Sequence, residues 1–146
     1  SNSDVVGIGF DNRKGRRSMS QWSDIQKHVR GAYRLQDDQP EMMAMVWAYD
    51  DGRHQKVVMR RFASAGRDHI EFKSPFAKRG QVDCAELLEA NAKLPLGAVA
   101  LSGDVFLVMH NALATTLTTE DVDFLLQRIA DIADSLEAKY VRTDEF

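Results

Sequence analysis

The sequence predicts an α+β domain whose elements run α-β-β-β-α-β-β-α, an antiparallel sheet with helices packed on it. Three observations predict it. Apolar residues recur at helical spacing in three separate stretches, around Trp22–Tyr33, Leu87–Leu94 and Val122–Tyr140. Between them, short runs rich in Val, Met and aromatics are joined by turns too short for a crossover helix, so neighbouring strands are antiparallel. Strands and helices also fail to alternate, which a Rossmann-type sheet would require. A chain of 146 residues suits one domain of this kind.

Residues 1–18 read as a tag remnant, Ser1-Asn2-Ser3, followed by an arm or linker, and residues 19–146 as the single domain. In the arm, Val5, Val6, Ile8 and Phe10 suit a short strand or packing on a neighbour. Arg13, Lys14, Arg16 and Arg17 crowd too much charge together for a core. The Gly7-x-Gly9 pair lacks the third glycine and the βαβ setting of a dinucleotide loop. The first helix is expected from about Ser20 to Leu35, with Ser18 or Ser20 as cap. Its stripe is Trp22, Ile25, Val29, Ala32 and Tyr33, with Lys27, Arg30 and Arg34 on the other side. The segment Gln36-Asp37-Asp38-Gln39-Pro40 reads as a break, because proline cannot continue a helix.

A meander of three strands is expected over residues 42–73. The first strand, Met42–Tyr49, places Met43, Met45, Trp47 and Tyr49 on one face and Met42, Ala44, Val46 and Ala48 on the other. Asp50-Asp51-Gly52 turns it into Gln55–Phe62, and Ser64-Ala65-Gly66 leads to His69–Lys73, with Ile70 and Phe72 inward. Asp83 caps the second helix, with Glu86 three residues later. Leu87, Leu88, Asn91 and Leu94 mark that helix's inner face, and Pro95 ends it. Val99–Leu101 and Val105–Met109 form a hairpin across Ser102-Gly103-Asp104. Thr118 opens a capping box for the last helix, whose stripe is Val122, Leu125, Leu126, Ile129, Ile132, Ala133, Leu136 and Tyr140. Its carboxylates Glu120, Asp121, Asp123, Asp131, Asp134 and Glu137 read as a solvated face, and Asp131 with Asp134 have the spacing to approach a cation.

Composition narrows the function classes. One cysteine, Cys84, excludes an internal disulfide and a multi-thiolate zinc site, and reads as a packing residue. Four histidines (His28, His54, His69, His110) show no i, i+4 pair, and His110 reads as a half-buried side chain. No nucleophile elbow or phosphate loop is present, so no enzyme activity, cofactor or metal is expected. No apolar run is long enough to cross a bilayer and no signal peptide precedes the domain, so the expected setting is cytoplasmic without a membrane partner. Charge is uneven: residues 1–80 carry +5 and residues 81–146 carry −8, for a net −3. Nucleic-acid binding through Arg13–Arg17 and Lys27–Arg34 is disfavoured by a pI of about 5.8.

The element order resembles the type III secretion chaperone-like fold, a group that includes the YbjN-type bacterial sensory-transduction regulators. The second half carries the motif. Leu87–Leu101 resembles that family's helix with an asparagine near its end, here Asn91, followed by a glycine, here Gly97, that opens a strand of small and aliphatic residues. Ser102–Met109 resembles its tight hairpin and Thr118–Tyr140 its closing helix. The likeness covers residues 19–141 in topology and 87–140 in motif. It implies a small, non-catalytic, dimer-prone module that binds segments of a partner protein.

The residues offered for partner binding are Met43, Met45, Trp47, Tyr49, Leu87 and Leu94. The methionine and aromatic row is adaptable and suits varied partners, although the same row would also serve as the core side of the sheet under the helices. An exposed sheet edge is a further mode, since it binds an added strand through main-chain groups alone. A regulatory domain of a larger signalling protein, with residues 4–18 as its linker, is the alternative.

Overall fold

The structure, a computed structural model, describes residues 12–141, with side chains described from residue 21 onward. The arm of Val5, Val6, Ile8 and Phe10 lies outside the described residues. The first helix, α1 (Asn12–Ala32), starts well before the expected Ser20. Arg13, Lys14, Arg16 and Arg17 are good helix formers, so the basic run extends the helix instead of ending it. Trp22, Ile25 and Val29 are buried, as the stripe predicts.

The described order is α-β-β-β-β-α-β-β-α, one strand more than expected. The additional strand is β1 (Leu35–Gln39), which occupies the segment read as a helix end and a break. Pro40 and Glu41 form the turn of a hairpin, and Gln39 pairs with Met42 at the start of β2 (Met42–Ala48). Proline suits that turn because its fixed φ fits the first corner position. Next come β3 (His54–Ser64) and β4 (Arg67–Lys78). The latter runs past the expected Lys73 through Pro75, where a register shift between Pro75 and Ala77 accommodates a residue that cannot donate to the ladder. Then α2 (Cys84–Asn91), β5 (Ala98–Ser102), β6 (Val105–Leu113), a short 3-10 turn and α3 (Thr119–Tyr140) complete the chain.

The six strands of the described residues form one antiparallel sheet in the order β1-β2-β3-β4-β6-β5. The second hairpin therefore joins the meander through β6, leaving β1 and β5 as the two edges among the described residues. One face presents Met43, Met45, Val57, Met59, Ile70, Phe72 and Val108, all buried with α1 and α3 residues such as Ile25, Leu126 and Ile129. On the opposite face Ala44, Glu71 and Leu107 are buried as well. Val46 there is 42% exposed, and the Arg60–Glu71–Lys73 group lies on the same side. Burial opposes the charge of Glu71, but Arg60 and Lys73 outweigh it and hold its carboxyl below the ordinary value.

Both expected caps form. The Asp83 side chain accepts from the Glu86 backbone amide, and Thr118 and Asp121 bond each other's backbone N–H reciprocally.

Candidate functional site

The row Met43, Met45, Trp47, Tyr49 lies on the core side of the sheet. Met43 and Met45 are fully enclosed, and the polar tips of the two aromatics are tied to α3. Trp47 Nε1 donates to Gln127 Oε1 (3.1 Å) and the Tyr49 hydroxyl to Asp131 Oδ1 (2.9 Å). Along the same helix, Asp123 receives Tyr33 (2.6 Å) and His28 (2.9 Å), while Arg53 reaches Asp134 (2.9 Å) and Glu137 (3.1 Å). Positions 123, 127, 131 and 134 share one helical face, so a single seam ties α3 to α1, β2 and the β2–β3 turn. Burial and the Asp131 carboxylate together push the Tyr49 phenol far above its ordinary pKa, keeping it a donor.

For Asp123, Asp131, Asp134 and Glu137 the reading as a solvated face is therefore corrected, while Glu120 and Asp121 are exposed as expected. Glu137 has no exposed surface, and Asp131 and Asp134 are engaged by protein donors where a cation was considered. Their partners Tyr49 and Arg53 lie in the β2–β3 turn, far away in sequence.

An apolar hollow lies away from this seam, beside the other sheet edge. Between α2 and β5 runs a groove of about 150 Å³, floored by Leu87 and Phe106, which are buried, and rimmed by Cys84, Leu88 and Leu101. Leu88 is 68% exposed and Leu101 39%. This corrects the inner-face assignment of Leu88, because adjacent helical residues point about 100° apart and only Leu87 turns inward. Cys84, expected to pack, is exposed on the rim. Val99, Ala100 and Leu101 all touch the groove. Consecutive strand residues point to opposite faces, so a hollow meeting three in succession lies against the edge of β5 itself.

The loop from α2 back to β5 fixes the geometry of that edge. Gly97 has φ +73°, and a Cβ there would meet Ile129 Cδ1 at 3.2 Å and the Met109 carbonyl at 3.3 Å, so only glycine lets the chain turn this close to the core. The turn brings Val99 under the side chain of Asn91. The Val99 N–H donates to Asn91 Oδ1 (2.6 Å), and Asn91 Nδ2 donates to the Val99 carbonyl (3.2 Å).

Of the six partner-binding candidates, the structure thus brings Leu87 into this groove. Leu94 falls in a neighbouring hollow with Arg128, Ile132 and Leu136, and the β2 row lies under the helices. Leu88 and Leu101, which form the rim, were not singled out as binding residues. The signal for Leu88 was its place beside Leu87, since adjacent leucines point about 100° apart and a short helix packed on one strand need not enclose both.

Among the basic residues offered for nucleic acid, Arg30 is held by Asp38 (2.8 and 2.9 Å), and the side chains of Arg13–Arg17 lie outside the described residues. His110 is half-buried, and burial lowers its pKa from the usual 6.5. Among the described residues, no group of three or more His, Cys, Asp or Glu is placed to hold a metal ion, and no helix is long and apolar enough to cross a membrane.

No protein-family model matches the chain. No curated protein matches it either. Among solved structures, it is similar to a chain of one described as "Structure of the HopA1-SchA Chaperone-Effector Complex", over 86% of this chain and 98% of that one. The TM-score is 0.57 at 9% sequence identity, so the likeness is one of fold. The chain has a chaperone-like α+β fold.

Proposed function

We propose that the chain is a non-catalytic protein-binding module that receives an extended segment of a partner polypeptide along the β5 edge, acting as a cytoplasmic homodimer. The observation that supports it is the apolar groove running against a sheet edge. Such an edge offers main-chain groups for strand pairing, and the hollow beside it takes alternate apolar side chains. Charge narrows the occupant further. Asp83 precedes the rim residue Cys84 and Asp104 lies in the β5–β6 turn, whereas Glu86 and Glu89 line a separate hollow with Lys93 and Lys139. The fitting segment is therefore apolar at alternate positions and basic at one flank. The likeness to a chain from a chaperone–effector complex agrees with a role of this kind, and Asn91 and Phe106, which belong to the stretch that resembles YbjN-type proteins, line this groove.

A library of random peptides displayed on phage, panned against the protein, tests the reading. Selected peptides should alternate apolar residues, and their affinity should fall about tenfold or more on Leu88→Asp, a rim change that desolvates a charge on binding. Failure to select any peptide, or affinities that ignore Leu88→Asp and Leu101→Asp alike, would contradict it. The homodimer rests on apolar side chains exposed away from the groove, Val46 on the sheet face opposite α1 and α3 and Phe124 (49% exposed) on α3. Light scattering should give twice the chain mass of 16.4 kDa, and a single-chain mass at micromolar concentration would refute the dimer.

A further inference from the structure

Asn91 stands where a seventh strand would stand. In the β5–β6 hairpin, Ser102 pairs with Val105 across a two-residue turn, and Ala100 with Leu107. In an antiparallel pair, alternate residues direct both main-chain groups to the same side. Ala98, Ala100 and Ser102 therefore bond β6, and Val99 and Leu101 face outward. The outward groups of Val99 are those that Asn91 holds, its oxygen accepting the N–H and its nitrogen donating to the carbonyl. A carboxamide offers one acceptor and one donor side by side, the same pair that a residue of a neighbouring strand would present.

We propose that the Asn91 carboxamide is a removable plug on the β5 edge, occupying Val99 until an extended segment pairs first at Leu101 and then displaces it. The inference rests on the reading of the groove as a peptide site and adds its regulation. Geometry supports displacement. Asn91 is the last residue of α2, where the ladder no longer restrains it from both sides, and it is half-buried. Leu101 lies two residues along the same edge and borders the open groove. An incoming strand can thus begin at the open position and exchange one set of hydrogen bonds for an equivalent one at Val99. The plug also shortens the bare edge presented by the empty protein, and so limits edge-to-edge pairing between copies.

The test compares wild type with Asn91→Ala and Asn91→Asp. The aspartate keeps an acceptor for the Val99 N–H but has no donor for its carbonyl. In the free proteins, amide hydrogen exchange at Val99 should be about tenfold faster in Asn91→Ala, and intermediate in Asn91→Asp. A peptide selected on the wild type should bind Asn91→Ala about threefold to tenfold more tightly, because no internal group competes for Val99. Unchanged Val99 exchange in both variants would overturn the plug, since the carboxamide would not be guarding those groups. Faster exchange with weaker peptide binding would overturn it too, making Asn91 a fixed wall of the site. If a peptide binds neither wild type nor variant while Val99 exchange still accelerates, the groove reading fails and takes the plug's role in binding with it. That outcome is distinguishable from the other two.

Discussion

The two edges of the sheet are protected by different means. At β1 the protection is permanent. The strand is five residues long, carries Asp37 and Asp38, and breaks register between Leu35 and Asp37. It is also roped to α1, with Trp22 Nε1 (2.9 Å) and Gln26 Nε2 (3.0 Å) donating to the Pro40 carbonyl and Arg30 gripping Asp38. Charge, shortness and a bulge are the usual ways to stop another chain from adding to a sheet. At β5 the strand is equally short, but its sequence Ala-Val-Ala-Leu-Ser is uncharged, the hollow beside it is apolar, and a single side chain covers Val99. An edge closed by charge stays closed, whereas one closed by a neutral carboxamide can exchange it for another backbone. The difference agrees with the proposal that partner binding belongs to β5, with stability built elsewhere.

The sharpest way to break this division is to damage the sealed part and ask whether β5 responds. Arg53→Ala removes the guanidinium that Asp134 and the buried carboxylate of Glu137 share and should cost about 2 kcal/mol in urea unfolding, since hydrogen bonds to charged groups are worth roughly 1.5–3 kcal/mol. Trp22→Phe at the β1 side deletes the bond to Pro40 and should cost about 1 kcal/mol. Both changes should leave peptide affinity at the groove intact in the folded protein. A change remote from both edges should stabilise. Ala65 has φ +53° in the β3–β4 turn, a left-handed position that disfavours a Cβ, so Ala65→Asn should gain about 0.5 kcal/mol. Leu88→Ala on the open rim should move stability least, by less than about 0.5 kcal/mol, while weakening peptide binding. A Leu88→Ala variant that unfolds as readily as Arg53→Ala would erase the distinction between the two regions.

Acid sharpens the same picture through His110 on β6. Burial holds this ring neutral more strongly in the folded protein than in the unfolded chain, whose pKa is near 6.5. Below that value the unfolded chain binds more protons, so stability falls as pH drops and is unaffected above it. The urea midpoint measured on either side of pH 6.5 should show this slope, and His110→Gln should flatten it.

Much of the fold was legible because local chemistry and packing agree. Thr118 with Asp121, Asp83 with the Glu86 amide, and the α3 stripe from Val122 to Leu136 each follow from spacing alone. The strand β1 was not legible, because Gln36-Asp37-Asp38-Gln39 has no apolar alternation. Only Leu35 turns inward, and the segment is a strand because α1 and β2 hold it there. The burial of Glu137 was equally hidden, since its partner Arg53 lies far away in sequence. At the candidate site, the pattern of Asn91 followed by Gly97 was visible as a family-like motif. Its chemical purpose required the loop to close and set the carboxamide on Val99. Sequence showed that Leu87 and Leu88 were apolar, but the helix had to dock before one became floor and the other rim.

Amide hydrogen exchange across the whole sheet, with and without a selected peptide, tests the central claim most directly. The account predicts that saturating peptide slows exchange at Leu101 and leaves the β1 amides of Gln36 and Asp38 unchanged. Protection appearing at β1, or a bound peptide that leaves Leu101 exchanging as before, would contradict it.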